Sequence, residues 1–478
     1  MLKLLDTTLR EGEQTPYVSF SVAEKIEIAK LLDKIGIDMI EAGNPSVSPK
    51  IFEAVKKIAS LNLNAEIVAH SLAIKKNIDK AKECNVDRVV VFYPTSKIHL
   101  TTKMKKTQDE ALAIIEEHVR YARSLGLKVR YTPEDATRTE FDFLVKACNT
   151  AIKAGADRIS FADTLGIMQP HTFYDTVKKL KANLLPCELD VHCHNDFGLA
   201  LANAMAAVNA GANCIHVTVN GMGERAGIPD LAETIMAYNV LVGIKKYDIK
   251  ILVELSQYIE KVSGFFVAPN KPIIGTNAFS HKSGVHTSGV LKNPNTYEPF
   301  PPEIIGRERK IVIDKYTGKA AVKSKLEEYN IFISNDELEK VVDEIKKIGD
   351  ERKILHDTDI IEIAERITGI SNNVIPQGIN AIVLISVETE IYTTSVVRRL
   401  KNFKNIHTVF EITGDHDVSA YVKVNNTAEL NNTLEELRRI PGIKQTNTKI
   451  VLKKHSGHLA ANNLNENIKA EERSGVKA

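Results

Sequence analysis

The chain has 478 residues, of which 43% are hydrophobic and 26% charged, as in globular proteins that bury a large core. Lys and Arg (63) nearly balance Asp and Glu (61), so no overall field recruits nucleic acid, and no apolar run approaches the ~18 residues of a membrane span. The five cysteines form no CxxC pair, and no signal peptide precedes the first apolar run. We therefore expect a cytoplasmic protein with reduced thiols and with neither nucleic-acid nor membrane partners.

The first 220 residues alternate short apolar runs with amphipathic stretches. The runs predict eight strands, at 3–8, 38–41, 65–70, 88–92, 128–132, 158–162, 188–192 and 214–219. Helical periodicity predicts helices over 22–35, 49–61, 73–84, 107–125, 140–154, 169–182 and 198–210. Gly36, Gly126 and Gly155 follow three of these helices, as expected for left-handed C-caps. Eight successive βα units predict a TIM (β/α)8 barrel over residues 1–270 rather than an open sheet.

The candidate functional residues lie where these strands end, which is where TIM barrels carry their active sites. Successive side chains of a strand point to opposite faces, so His192 and His194 share one face and Cys193 lies on the other. Two imidazoles need a further hard ligand to form a metal site, and the first strand ends in Arg10 and Glu11. A metal beside an arginine suits the binding and polarisation of an oxo acid, which indicates an enzyme.

Beyond the predicted barrel the pattern changes twice. Residues 271–372 become helical and loop-rich, and this connector carries His281, His286 and Tyr297. Within 373–455 the order is strand (381–387), helix (393–400), strand (409–413), strand (419–424), helix (428–438) and strand (443–451), which predicts a ferredoxin-like α+β domain. Residues 456–478 are polar and predicted to be disordered.

Three barrel motifs carry a family resemblance. The segments 6–14 (DTTLREGEQ), 192–196 (HCHND) and 220–225 (NGMGER) resemble the acyl-CoA-condensing branch of the metal-dependent TIM-barrel lyases. That branch contains the 2-isopropylmalate, citramalate and homocitrate synthases. The last domain is similar to Lrp/AsnC ligand-binding domains, with Gly414, Asp415, His416 and Asp417 at the matching turn. A synthase followed by such a domain resembles the archaeal homocitrate synthases.

This resemblance implies an acyltransferase reaction. Acetyl-CoA and 2-oxoglutarate condense with water to (R)-homocitrate and CoA, the first step of lysine biosynthesis by the 2-aminoadipate pathway. Synthesis of 2-isopropylmalate or citramalate is the first alternative. A lyase reaction, as catalysed by related metal-dependent barrels, is the second. A transcriptional regulator, suggested by the last domain alone, would need a helix-turn-helix and a basic face that the sequence does not provide.

The resemblance also implies roles for individual residues. The ligands of a divalent metal would be Glu11, His192 and His194, with Mg²⁺ or Mn²⁺ bound and Co²⁺ or Zn²⁺ as alternatives. Arg10 would stabilise the alkoxide that forms on the oxo carbon. The substrate contacts would comprise Arg10 with Gln14, His70, Arg130 and Thr164. Asn220 is expected near the metal, and Asp6 either orients a ligand or is a buried polar partner.

Acid–base chemistry is assigned to Glu134 and His286, assisted by Tyr297, although His281 and His286 can exchange roles. Because both histidines lie in the connector, the resemblance implies a homodimer in which the connector folds over a partner's barrel. It also suggests lysine as an effector. One position departs from the family pattern, because Leu72 stands where relatives often have an arginine. If that arginine contributes to substrate recognition, the departure bears on the identity of the substrate and not on the class of reaction. Lys75 and Lys76 could compensate or be solvated helix charges, and the spacing of Gly221 and Gly223 is not that of a phosphate-binding loop.

Overall fold

The structure, a computed structural model, describes residues 2–351, 355, 357–369, 379–424 and 427–451. The chain divides into two compact units, Met1–Ile370 and Ser371–Ala478. The tail predicted to be disordered, 456–478, lies outside the described residues. Among the helices that are described, none is long and apolar enough to cross a membrane.

Eight parallel strands close the barrel of the first unit, each paired with the next and the last paired with the first. They are β1 Lys3–Asp6, β2 Met39–Gly43, β3 Glu66–Ala69, β4 Arg88–Pro94, β5 Lys128–Glu134, β6 Arg158–Asp163, β7 Glu188–Cys193 and β8 Cys214–Val217. All eight predicted strands are present and the TIM-barrel prediction is confirmed.

The first seven surrounding helices follow the prediction, and α8 and α9 were not predicted. They are α1 Val22–Ile35, α2 Pro49–Ala59, α3 Lys75–Glu83, α4 Gln108–Ser124, α5 Phe141–Ala154, α6 Pro170–Asn183, α7 Ala200–Asn209, α8 Leu231–Met236 and α9 Leu252–Ser263. Helix α1 begins at a Ser21–Glu24 capping box and ends at Gly36 with φ +89°. Gly126 and Gly155 are likewise left-handed, with φ +81° and +113°, as expected after α4 and α5.

Short helical turns occupy several loops. Two have π geometry, His99–Met104 and Ala237–Val242, and six are 3-10 turns, Gly12–Gln14, Ala136–Arg138, Val219–Gly221, Ile249–Ile251, Pro294–Thr296 and Pro302–Ile305. Two turns bear on function. Gly12–Gln14 follows Arg10 and Glu11, and His99–Met104 follows β4.

Strand alternation divides the barrel side chains between two cores. Outward-facing residues such as Leu4 and Ile40 pack beneath the helices in the main core. Inside the barrel, Met39 and Cys214 belong to a small apolar layer. Two residues further along the same strands, Glu41 and His216 are buried polar groups. A polar layer therefore lies directly above the apolar one, towards the ends of the strands that carry chemistry.

The connector has a small core of its own and is helical as predicted. It contains α10 Gly284–Lys292, α11 Lys319–Glu328, α12 Asn335–Asp350 and α13 Asp357–Thr368. The sequence pattern did not predict a short parallel strand pair, β9 Ser280–His281 and β10 Lys310–Ile311, which flanks α10 along the chain. This pair ties the segment around His281 to that around Arg309.

The second unit is a four-stranded antiparallel sheet in the order β12-β13-β11-β14. Its elements are β11 Ile379–Val387, α14 Thr393–Leu400, β12 Ile406–Glu411, β13 Val418–Val424, α15 Thr427–Arg438 and β14 Ile443–Ile450. Alternate residues of β11, including Ala381, Val383 and Ile385, are buried in its core. This is the predicted ferredoxin-like arrangement.

Candidate active site

The proposed metal ligands meet at the carboxyl ends of β1 and β7. Each of Glu11, His192 and His194 is buried and offers one ligand atom, and these atoms lie within 4.8 Å of one another. Burial lowers the pKa of both imidazoles, which favours the neutral, metal-binding form. Nδ1 of His194 is buried without a hydrogen-bond partner, so the site contains a free nitrogen donor. The residues therefore fit a divalent ion of the kind that imidazole and carboxylate bind.

A second group, Asp190, Cys214 and His216, is equally compact but is a poorer cation site. Asp190 Oδ1 is paired with the guanidinium of Arg158. Burial raises the pKa of the Cys214 thiol well above its usual value, so the neutral thiol rather than the thiolate is present. Nη1 of Arg130 lies 3.2 Å from His216 Nε2. Two guanidiniums at this group oppose a bound cation, and the first group is the better metal site.

The loop after β8 closes over Glu11. The backbone N–H of Glu224 donates to Glu11 Oε1 at 3.0 Å. Gly223 has φ +148°, and a Cβ there would lie 3.0 Å from the same oxygen, so a side chain would crowd the carboxylate. Arg225 anchors the loop through Asp196 at 2.7 Å. Gly223 thus allows the loop to pack closely on a proposed metal ligand.

Two arginines share one carboxylate inside the barrel. Glu41 Oε1 accepts from Arg10 Nε and Oε2 from Arg130 Nη2, each at 2.6 Å. Burial alone would raise the pKa of Glu41, but the two guanidiniums hold it well below its usual range. Arg10 also pairs with Glu11 and donates to Gln14 Oε1 at 3.3 Å. Arg130 keeps Nε buried without a partner, which leaves a donor free.

His70 lies against this charged group. Burial and the nearby Arg10 lower its pKa to about 3, so the imidazole is neutral and acts through hydrogen bonds. Its ring packs on Phe92 with the centroids 5.1 Å apart. Leu72 is 42% exposed, and Lys75 pairs with Glu117 of α4 at 2.8 Å. Lys75 therefore lies on the helical surface and does not replace an arginine at position 72.

Thr164 and Glu134 lie at the ends of β6 and β5. The Thr164 hydroxyl accepts from the backbone N–H of Asp135 at 2.9 Å and keeps its own proton to donate. Both oxygens of Glu134 accept from Lys103 Nζ at 2.9 Å, and His99 Nδ1 lies 3.7 Å from Oε1. Sequence reasoning missed Lys103 and His99. The only available signal was that both residues follow the end of β4 and are four residues apart.

The connector residues lie apart from these groups. His286 is exposed, and its ring stacks on Tyr297 with centroids 4.1 Å apart. Among the described residues, no hydrogen bond, ion pair or ring contact joins either one to the barrel groups. His281 differs, because its Nε2 lies 3.0 Å from Glu298, which Arg309 also binds. His286 is thus the histidine with a free imidazole, and His281 belongs to an internal ion-pair network.

The contacts change one expectation, for Asn220, and favour one of the two alternatives for Asp6. Asn220 was expected near the metal, but its amide exchanges hydrogen bonds with Ser256 of α9, at 2.6 and 3.2 Å. Its left-handed φ of +62° turns the chain after β8 and directs the side chain to that helix. Asp6 accepts from the backbone N–H and the hydroxyl of Thr8, at 2.9 and 3.0 Å. Asp6 is therefore a buried polar partner that shapes the loop after β1.

Comparison with known proteins places the chain among described families. The profile of the HMGL-like family matches residues 1–259, that of the homocitrate synthase post-HMGL domain 273–353, and that of the Lrp/AsnC ligand-binding domain 380–459. The homocitrate synthases of Sulfurisphaera tokodaii and Saccharolobus solfataricus are each 46% identical over 456 residues, which is 94% of this chain and 99% of each relative.

Two solved structures resemble the barrel. The Bacillus subtilis HMG-CoA lyase has a TM-score of 0.51 and 20% identity, over 56% of this chain and 96% of the lyase. An Acinetobacter baumannii HMG-CoA lyase, in complex with coenzyme A and 3-methylmalate, has a TM-score of 0.50 and 22% identity, over 57% and 93%. At these identities the likeness supports the fold alone.

Proposed function

The chain belongs to the homocitrate synthase family, and from this premise we propose that it condenses acetyl-CoA with 2-oxoglutarate and water to give (R)-homocitrate and CoA. The observation that carries the proposal is the pair of guanidiniums, the partly buried Arg10 and the buried Arg130, joined through Glu41 beside His70. It lies next to the group of potential metal ligands. In this family the reaction opens lysine biosynthesis.

Charge supports the dicarboxylic substrate. Arg10 and Arg130 contribute two positive charges, and Glu11 and Glu41 contribute two negative ones, so these four groups cancel. A divalent cation then leaves two positive charges, which match the two carboxylates of 2-oxoglutarate. The free Nε–H of Arg130 and the neutral imidazole of His70 supply hydrogen bonds for the distal carboxylate. A monocarboxylic oxo acid would leave one of these charges unmatched.

Glu11, His192 and His194 would hold the divalent metal, which we take to be Mg²⁺ or Mn²⁺, with Co²⁺ or Zn²⁺ as alternatives. When bound, the ion supplies a Lewis acid for the oxo group of the substrate. Arg10, paired with Glu11, is placed to stabilise the negative charge that develops on the oxo oxygen. Gln14 and Thr164 each offer a polar group at the same end of the barrel.

Glu134 is the proposed base for the methyl group of acetyl-CoA. The pair of electrons left on the methyl carbon forms the new bond to the oxo carbon, whose oxygen then takes a proton. Water hydrolyses the thioester and CoA leaves as its thiol. Lys103 holds both oxygens of Glu134, which fixes the carboxylate in place. His286, with Tyr297 stacked on it, is the proposed acid partner.

A homodimer would bring these groups together. His286 and Tyr297 are exposed on the connector, and no described residue of the barrel is a polar partner of either. The loops that follow five different strands each expose a large apolar side chain, namely Tyr17, Leu72, Ile98, Ile167 and Phe197. These side chains form an apolar rim around the open end of the barrel, a surface that suits burial against another protein. We infer that the connector of a partner subunit covers this rim.

The second unit is the proposed regulatory domain, with lysine as its effector. His416 Nδ1 lies 3.0 Å from the Ser386 hydroxyl, and Asp417 accepts from the backbone N–H of Val387 at 2.7 Å, so the turn is firmly held on β11. In the Lrp/AsnC family such turns lie at ligand sites between paired copies, so effector binding would be linked to association. All five cysteines are free, which supports a reducing, cytoplasmic location.

A product assay tests the proposal. The full-length protein is incubated with acetyl-CoA and each of 2-oxoglutarate, 2-oxoisovalerate and pyruvate, with Mn²⁺ or with EDTA. Free CoA thiol and the product mass are measured together. Metal-dependent CoA release with formation of homocitrate supports the proposal, whereas product from only 2-oxoisovalerate or pyruvate would assign the chain to the alternative synthases.

A further inference from the structure

Three buried side chains form a line that leads from the barrel interior to a proposed metal ligand. Nδ1 of His192 lies 3.2 Å from Nδ1 of His216, and Nε2 of His216 lies 3.3 Å from Oδ2 of Asp190. The exposed fractions of the three residues are 7%, 1% and 0%. Since two facing ring nitrogens can share only one proton, the protonation of one ring determines that of the other.

His216 has two possible partners at Nε2, and they demand opposite tautomers. Asp190 can only accept a hydrogen bond, whereas Nη1 of Arg130, 3.2 Å from the same nitrogen, can only donate one. If Nε2–H donates to Asp190, Nδ1 of His216 accepts from Nδ1–H of His192, and Nε2 of His192 keeps a lone pair for the metal. If Nε2 accepts from Arg130, the two protons reverse and Nε2 of His192 carries a hydrogen, which prevents ligation.

The other contacts of the two competitors decide between them. Arg130 already donates to Glu41 at 2.6 Å, so it has a charged acceptor elsewhere. Asp190 Oδ1 is taken by Arg158, and His216 is the hydrogen-bond partner of Oδ2. A buried carboxylate oxygen without a donor is strongly unfavourable. Arg130 loses less, because it keeps its charged acceptor Glu41 when the Nη1–H that faces His216 has no acceptor.

We propose that Asp190 selects the Nε2–H tautomer of His216 and thereby presents His192 to the metal with a free Nε2. Asp190 and His216 are positioning residues, because they act through His192 and touch no substrate. The inference rests on the proposed metal site, and it adds two residues, His216 and Asp190, behind the ligand His192. It also explains why a charged Asp–Arg pair is buried below the reacting groups.

Asp190→Asn is the sharpest test, because it changes shape least. Arg158 requires an acceptor, so the new amide would place its oxygen on Arg158 and its NH2 towards His216 Nε2. That arrangement enforces the wrong tautomer through both rings. We expect Mn²⁺ to bind the metal-free D190N protein ~10–100-fold more weakly than the parent. His216→Leu removes the acceptor for His192 and should weaken binding in the same direction.

The measurement is the Mn²⁺ dissociation constant of full-length, metal-free protein by isothermal titration, alongside its thermal unfolding midpoint without metal. Cys214→Ser is the matched control, since Cys214 is in the same buried cluster but outside the line, and its affinity should equal the parent's. If D190N does not fold, H216L carries the test. Parental affinity in both variants, or an equal loss in C214S, would overturn the inference. A parent that binds Mn²⁺ but turns over no oxo acid would instead contradict the proposed function.

Discussion

Nη2 of Arg130 donates a 2.6 Å hydrogen bond to Oε2 of Glu41, and the two side chains are 2% and 0% exposed. Glu41 also binds Arg10, so one carboxylate aligns both guanidiniums at the end of the barrel. A lone buried guanidinium is unstable without a compensating charge. Glu41 thus holds two arginines side by side, as the proposed binding of one dicarboxylic substrate requires.

Glu41→Gln should destabilise the protein and impair substrate binding together. It leaves the buried Arg130 guanidinium without a charged partner and leaves Arg10 with Glu11 alone, and we expect a loss of about 3 kcal/mol or more in the free energy of unfolding. Denaturant titration measures this. Glu117→Gln, which removes an exposed pair with Lys75, should change the same quantity by about 1 kcal/mol or less. Equal losses in the two variants would contradict the account of Glu41.

Substitutions along β7 test the metal ligands. His192→Ala and His194→Ala should each abolish metal-dependent CoA release, because each removes one of the three proposed ligands. Cys193→Ser should retain most of the activity, because this buried thiol faces away from both imidazoles. Metal content of the purified proteins is measured with activity. An inactive, metal-free C193S protein would show that the strand alternation is misassigned.

Asp6 predicts a pH dependence of stability. Burial raises its pKa from 3.8 to about 7, so the folded state holds this proton more tightly than the unfolded state between these two values. The contribution of Asp6 to the free energy of unfolding therefore falls as the pH rises through this window. The free energy of unfolding of Asp6→Asn, measured relative to that of the parent, should therefore rise by up to about 4 kcal/mol from pH 4 to pH 8.

The control for this experiment is Asp175→Asn, at an exposed position on α6, which should show the same pH dependence as the parent. Urea unfolding at pH 4, 6 and 8 gives the comparison. A D6N protein whose stability parallels the parent's over the whole range would contradict a raised pKa for Asp6.

Mixing two inactive variants tests the shared active site. Glu134→Ala and His286→Ala should each lower kcat by ~10²–10⁴. The two variants are mixed in equal amounts, unfolded and refolded together. If the connector acts on the partner's barrel, each mixed dimer contains one intact site of two, and the mixture recovers about a quarter of the parental activity. No recovery on mixing, with mixed dimers demonstrated, would place both residues in one subunit's site.

Truncation after Thr368 tests regulation by the second unit. The first unit is compact by itself, and we expect a truncated enzyme that is active but has lost its sensitivity to lysine. Inhibition curves for lysine against 2-oxoglutarate give the measurement. A truncated enzyme that stays equally sensitive would mean that lysine acts at the barrel, where its ammonium and carboxylate can imitate substrate groups.

Local periodicity predicted most of the fold. The strand positions, the helices between them and the shared face of His192 and His194 all follow from repeats of two or 3.6 residues. Asn220 shows the limit of that reasoning. Its neighbours in the motif suggested a place at the metal, but a left-handed residue redirected its side chain to Ser256. Such a turn depends on the packing of α9, which the motif does not encode.

Contacts across the barrel were also beyond sequence reasoning. His216 and Asp190 lie on neighbouring strands, and the register that places Asp190 opposite Cys214 brings His216, two residues further on the same face, to 3.3 Å from Asp190. Lys103 reaches Glu134 because six residues after β4 form a π-helical turn, a local geometry with no clear sequence signal. The family resemblance supplied a role for residues within the motifs, such as Glu11. It supplied none for residues outside the motifs, such as Lys103.

Substrate discrimination tests the central claim most directly. The measurement is kcat/KM for 2-oxoglutarate and for 2-oxoisovalerate, with acetyl-CoA and Mn²⁺ saturating. Because a site built for a second carboxylate leaves buried donors unpaired with an apolar analogue, we predict a ratio of ~10² or more in favour of 2-oxoglutarate. A ratio near one, or one that favours 2-oxoisovalerate, would contradict the assignment of Arg130 and His70 to the distal carboxylate and with it the homocitrate synthase reaction.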